Sequence, residues 1–276
     1  MTTENPDSTT LTEEEMDSVY SLWDELDQVP ASETDTALRL LALGLKKLTK
    51  AGNVKWIAAV RILRGSKAKK DPLLGWRLRA SYDLVPDPEE YRKLLAPMYQ
   101  RTDRFDPNFQ IGLATLAIIA KAGKFQVHRM RDGWIPFHEF SQSEHYRLHY
   151  TELGITDRMW ISFPLNADTE SVFLVDRLRS IRHFSKEDAL LAGTLLRGIR
   201  GFHRRLFLNR GLLIGDQPLS PVYQRIVQKL LTGMSEKEIA DSMKQSLSTT
   251  HKYIKSIYQR FGVNGRANLM SLWLGS

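Results

Sequence analysis

Residues 234–263 read MSEKEIADSMKQSLSTTHKYIKSIYQRFGV. Ser235-Glu-Lys-Glu238 has the form of a capping box. In such a box the serine hydroxyl accepts a first-turn N–H, and the glutamate reaches back to the cap. Ile239, Ala240 and Met243 supply a short helix with one buried face. After a brief polar break, Ser246 is placed to cap a second helix. Its apolar stripe is Thr250, Ile254, Ile257 and Phe261, at spacings of four, three and four, which is one helical face. Gly262 closes it, as glycine does where the chain must turn left-handed. His251, Lys252 and Lys255 lie off the stripe, close to the start of this helix.

Working outward, Leu219-Ser220-Pro221 opens an earlier helix with proline at its first position, where the missing N–H costs nothing. Ile226, Val227, Leu230 and Leu231 form its stripe, and Gly233 ends it. A fourth helix spans about Arg266 to Trp273. Residues 219–276 therefore predict an all-α unit of four helices. Two short helices joined by a tight turn, the second presenting polar and basic groups, are what a helix-turn-helix requires. Its second helix suits a major groove about 12 Å wide, with its early residues at the base edges.

Leu219-Ser-Pro221, Gly233-Met-Ser-Glu-Lys-Glu-Ile-Ala240, Ser246-x-x-Thr249, Ile257-Tyr-Gln-Arg-Phe-Gly-Val263 and Arg266-Ala-Asn-Leu269 agree in order and spacing with one family. The segment resembles the LuxR/GerE-type DNA-binding domain. That resemblance implies a transcriptional regulator that binds double-stranded promoter DNA, usually as a homodimer. It places His251, Lys252 and Lys255, with Ser248, toward the groove, and Lys237, Thr249 and Arg266 near phosphates. It assigns dimer contacts to the fourth helix, here Leu269, Leu272 and Trp273. The residue chemistry agrees: lysine bonds guanine O6 or N7, and histidine donates or accepts. Four positions depart from the family pattern. Val222-Tyr223 replace its usual Arg-Glu, Gln245 replaces a small or apolar residue, and Tyr253 replaces a frequent histidine.

The remaining chain changes period. Residues 1–10 are polar and read as a disordered acidic tail. Helices are expected from Thr12 and from about Asp35 to Lys50. VKWIAAVRILRG (54–65) and WRLRASYDL (76–84) read as strands, with a turn between them. PDPEEYRKLLAPMYQ predicts a short helix. FQIGLATLAIIAKAG (109–123) predicts a nearly buried one. FQVHRM is a strand, HEFSQSEHYRLHYTELG a helix, and residues 157–178 a final hairpin. SKEDALLAGTLLRGIRGFHRRLFLNRG (185–211) reads as one long helix capped by Ser185. The sum is an α+β domain over residues 11–211, an antiparallel sheet flanked by helices. Its element order resembles the GAF and PAS sensor domains. LLIGDQP (212–218) reads as a linker.

Composition bounds the chemistry. Residues 1–33 hold ten acidic side chains and no Lys or Arg. The rest sets 39 basic against 22 acidic, a net of +17, which favours polyanionic partners. There is no cysteine, which excludes disulfides and thiolate chemistry. G-x-S-x-G, H-E-x-x-H and a P-loop are missing, so no enzyme and no cofactor is expected. The longest apolar run, 111–120, is too short for a bilayer, and a cytoplasmic protein without membrane insertion is expected. His145 and His149 share an i, i+4 spacing but find no third partner, so no metal is expected. One branch of the resembled family senses acyl-homoserine lactones through a Trp/Tyr/Asp constellation. Tyr91, Tyr99, Asp106-Pro107 and Trp134 do not match its spacing. The N-terminal domain is expected to sense a small-molecule effector or a partner and to gate DNA binding or dimerisation, with effector identity and pocket unassigned; the alternative is a protein-interaction module with a vestigial DNA-binding unit.

Overall fold

A computed structural model describes residues 9–95, 111–213 and 218–274 of the 276. The first eight residues of the expected tail lie outside these. The element order is α1 (Glu13–Asp27), α2 (Thr34–Leu48), β1 (Asn53–Arg61), α3 (Gly65–Lys69), β2 (Trp76–Asp83) and α4 (Glu89–Leu95). Then come α5 (Leu113–Ala120), β3 (Gln126–Arg129), α6 (Phe137–Gln142), α7 (Glu144–Tyr146), a π-helical turn (Arg147–Thr151), β4 (Ile155–Asn166) and β5 (Thr169–Leu178). Two helices follow, α8 (Lys186–Arg197) and α9 (Arg200–Arg210). The C-terminal unit is α10 (Pro221–Leu231), α11 (Glu236–Met243), α12 (Leu247–Phe261) and α13 (Arg266–Leu274).

The strands form one antiparallel sheet in the order β2-β1-β5-β4-β3. Successive side chains alternate faces, and both faces are covered. Val54, Trp56, Ala58, Met159, Ile161, Phe173 and Val175 point to one face. There they form the main core with Leu38, Leu41 and Leu45 of α2, Leu195 of α8 and Phe207 of α9. The other face carries Trp160 and Leu174, packed with Phe140, Met130 and Tyr150 in a smaller core. The expected α+β layering is therefore observed.

One buried polar chain ties the sheet to α9. Trp56 Nε1 donates to Ser171 Oγ at 2.8 Å, and Ser171 Oγ lies 2.8 Å from His203 Nδ1. His203 Nε2 lies 2.8 Å from the Leu196 carbonyl. A carbonyl only accepts, so Nε2 carries the proton and Nδ1 accepts from the serine. Burial depresses the His203 pKa to about 4, so the ring is neutral.

Several local expectations are corrected. The segment 185–211 is two helices, not one. An ideal Cβ on Gly198 would lie 2.2 Å from the Trp23 ring, and Trp23 Nε1 donates to Leu195 O at 3.0 Å. The indole of α1 thus occupies the space beside Gly198, at the break. The loop between β1 and β2 contains α3. Residues 138–154 split into α6, α7 and the π-helical turn. α5 is shorter than expected and not nearly buried: Leu113 and Leu116 are exposed while Ala114 is buried. Leu212, expected in the linker, lies in the main core.

Ser171→Ala leaves two buried nitrogens of the polar chain without their partner. The expected loss is about 1–3 kcal/mol, read as a lower urea midpoint with an unchanged slope.

Candidate nucleic-acid interface and buried cavity

The C-terminal unit has its own core: Ile226, Val227, Leu230, Ile239, Ile254, Ile257, Phe261, Leu269 and Trp273. The caps read from the sequence form. Ser235 and Glu238 make the reciprocal capping box, whose bonds from Ser235 hold the Glu238 carboxyl below its usual range. Lys244 takes a left-handed turn at φ 53°, and Ser246 accepts from Thr249 N. With Thr250, Ile254, Ile257 and Phe261 buried, α12 leaves Leu247, Ser248, His251, Lys252, Lys255 and Gln259 exposed. These follow helical spacing and share one face. His251, Lys252, Lys255 and Ser248 are thus brought together. Lys237 is exposed on α11.

Two other expected contacts are already engaged inside the chain. Thr249 is half-buried with its hydroxyl 2.8 Å from Ser246 Oγ. Arg266 Nη2 donates to the Met234 carbonyl, clamping α13 to the entry of α11. A partner that local spacing could not show is Glu236. Its Oε2 lies 3.0 Å from His251 Nδ1, fifteen residues away.

Residues 217–273 match the family model described as bacterial regulatory proteins, luxR family. The C-terminal unit is a luxR-family domain. The probable HTH-type transcriptional regulator GfsR of Streptomyces halstedii is 37% identical over 57 residues. That match covers 21% of this chain and spans only 24% of the relative. Among solved structures, Escherichia coli SdiA has a TM-score of 0.46 at 14% identity, covering 93% of this chain and 95% of that one. The VqsR LBD domain of Pseudomonas aeruginosa has a TM-score of 0.41 at 14% identity, covering 70% and 96%. Both scores fall below one half and leave the N-terminal domain to be read from its own residues.

The luxR-family unit does not stand clear of that domain. Trp273 Nε1 donates to Asn209 Oδ1 of α9 at 2.8 Å. Asn209 Nδ2 donates to Thr34 Oγ1 at 2.5 Å, and Arg204 Nε donates to the Leu272 carbonyl at 3.2 Å. Leu208 of α9 belongs to the C-terminal core. An ideal Cβ on Gly211 would lie 2.6 Å from Leu219 Cγ, so Gly211, at φ +74°, lets that leucine close on the end of α9. Leu269, Leu272 and Trp273 are the residues expected to make dimer contacts. Leu269 and Trp273 are buried within the chain, and Leu272 is half-buried. Met270 and Leu274 are the exposed apolar side chains of α13.

A cavity of about 410 Å³ lies on the other face of the sheet, a size that suits a small molecule. Ile57, Ala59, Leu78, Ile118, Val172 and Leu174 form apolar wall. Three cations of the wall are paired. Lys55 Nζ sits 2.5 Å from Asp87 and 3.8 Å from Asp83. Arg158 meets Asp176 through two bonds, at 2.5 and 2.9 Å. Arg77 is paired with Asp71 at 2.7 Å. Glu170 accepts from Gly123 N and Ser162 Oγ, and burial raises its pKa. Tyr91 Oη lies 2.8 Å from His149 Nδ1. Burial, reinforced by His145, Arg158 and Lys55, depresses the His149 pKa to about 3. Burial raises that of Tyr91. Both are neutral near pH 7.

His145 and His149 both line this cavity, and among the described residues no cluster of metal-ligand type occurs. Trp76 and Trp160 line it, while Trp134 stacks on His128 and packs edge-on against Trp160. Tyr99 and Asp106-Pro107 lie outside the described residues.

His149 makes stability depend on pH. Its folded pKa lies below the unfolded value of about 6.5. Below that value the unfolded chain takes up a proton that the folded chain refuses, so stability falls with pH from about 6.5 toward 3. Asp83 and Glu170, with raised pKa values, act in the opposite sense. Comparison with His149→Gln isolates the histidine: the variant is expected to lose less of its stability between pH 7 and pH 5 than the native chain does. For the interdomain contact, Trp273→Phe strands Asn209 Oδ1 and is expected to cost about 1–3 kcal/mol in denaturant unfolding.

Proposed function

We propose that this chain is a cytoplasmic transcriptional regulator that reads promoter DNA with α12 and is gated by a small molecule held in the N-terminal cavity. The observation that carries the reading is the face of α12 with no core role, where His251, Lys252 and Lys255 stand exposed. In a helix-turn-helix this face enters the major groove. Ser248, early on α12, joins it, and Lys237 on α11 supplies phosphate contact. A homodimer would present two such helices to two half-sites, and exposed Met270 and Leu274 on α13 are the apolar side chains offered to a second copy.

The effector is an uncharged amphipathic molecule. Lys55, Arg77 and Arg158 of the wall are already paired with carboxylates of the same domain, so a charged group set against them would lose its hydration for little return. Gating follows from the strands. Ile57 and Val172 face the cavity, while their neighbours Trp56 and Ser171 belong to the polar chain that grips His203 of α9. α9 in turn holds Trp273 through Asn209. No helix among the described residues is long and apolar enough to cross a membrane.

The test is fluorescence anisotropy of the full chain on duplexes from its own upstream region, across a salt series. Lys252→Ala and Lys255→Ala are each expected to weaken binding, with a phosphate-contacting lysine lowering the salt slope by about 1. Asn209→Ala is expected to change DNA affinity although it touches no DNA. Native binding no tighter than about 10⁻⁴–10⁻⁶ M at physiological salt, unchanged in both lysine variants, would overturn the reading.

A further inference from the structure

We propose that Glu236 sets base specificity by fixing which ring nitrogen His251 offers to DNA. The inference rests on the DNA-reading role of α12. It starts from a carboxylate that suits the N-terminus of α11 but is unfavourable on a surface that meets DNA. Glu236 sits at the first position of α11 and pairs with the reading face of α12, where phosphate repulsion penalises every negative charge. Its capping neighbour Glu238 is accounted for by Ser235. Glu236 has no cap to make.

What it does hold is His251. Oε2 lies 3.0 Å from Nδ1, and the two side chains are 41% and 63% exposed. An ionised carboxylate only accepts, so Nδ1 must donate. In a neutral imidazole the other nitrogen then carries the lone pair. Nε2 is left as an acceptor for an outside group. In the major groove the amino donors are adenine N6 and cytosine N4, whereas guanine N7 and O6 and thymine O4 only accept. His251 held this way selects an amino-bearing base on the strand it meets. Without Glu236 the ring can take either tautomer and turn either edge to the groove, and the choice is lost. Glu236 is thus a positioning residue that gives up general affinity for discrimination.

The experiment is selection of a randomised duplex library by the full chain at about pH 8, where imidazole is neutral. Native, His251→Ala, Glu236→Ala and Glu236→Gln chains are compared. In the native chain one position per half-site should favour adenine or cytosine on one strand, and His251→Ala should flatten that position alone. Replacing that base by an analogue lacking only its exocyclic amino group should weaken native binding about 2–10-fold, the range for one hydrogen bond. Glu236→Ala should flatten the same position and be indifferent to the analogue, while binding random duplex as tightly as the native chain or tighter. Glu236→Gln keeps an acceptor oxygen and should retain the preference. Selection of one sequence by both the native and Glu236→Ala chains would remove Glu236 from recognition and leave the DNA reading intact. Loss of the preference in Glu236→Gln would overturn the positioning role. Failure of the native chain to enrich any sequence would overturn the DNA reading, and this inference with it.

Discussion

One helix must satisfy two hydrophobic cores at once. α9 turns His203, Leu206 and Phe207 toward the sheet and Leu208 toward the C-terminal unit. Consecutive residues on a helix point about 100° apart, so a helix buried by neighbours on two sides loses most of its solvent face. Polar groups caught in that burial must be matched. His203 is matched by Ser171 and Leu196, and Asn209 by Thr34 and Trp273. These bonds have little freedom to slip, because an unmatched buried polar group costs more than a matched one returns. The relative placement of the two units is thus held by directional contacts as well as by apolar area.

The two functional surfaces obey opposite electrostatic rules. In the cavity wall, each cation among Lys55, Arg77 and Arg158 is paired with a carboxylate of the same domain, and Tyr91 and His149 are neutral. On α12, Lys252 and Lys255 stand in water without an ion-pair partner among the described residues. Buried charge without compensation is costly, whereas exposed positive charge keeps its hydration until a polyanion displaces counterions. Three cations of one surface are therefore neutralised within the domain, while those of the other keep their charge in solvent.

Local chemistry was the legible part of this structure. The capping box of α11, the apolar stripe of α12, the closing Gly262 and the β4–β5 hairpin all depend on neighbours within a few residues, and each reads directly from spacing. The break between α8 and α9 did not, because Trp23, more than 170 residues upstream, packs against Gly198. Asn209 looked like an ordinary polar residue on a helix until Trp273 and Thr34 surrounded it. The pairing of Glu236 with His251 crosses from one helix to the next. The lining of the cavity is not legible for the same reason: Lys55, Asp87, Tyr91, His149 and Glu170 are scattered along the chain, and only the strand register gathers them.

The shared core has a consequence for how such chains can be recombined. A linker between two units invites the view that they are interchangeable parts joined there. Here the natural seam does not coincide with the expected linker, 212–218, because Leu212 lies in one core and Leu208 in the other. Residues 219–274 transplanted onto a foreign input domain would bring Trp273 without an acceptor and a core lacking Leu208. The smallest exchangeable module begins inside α9, so any rearrangement that preserved function had to cut upstream of Leu208 or supply a replacement helix.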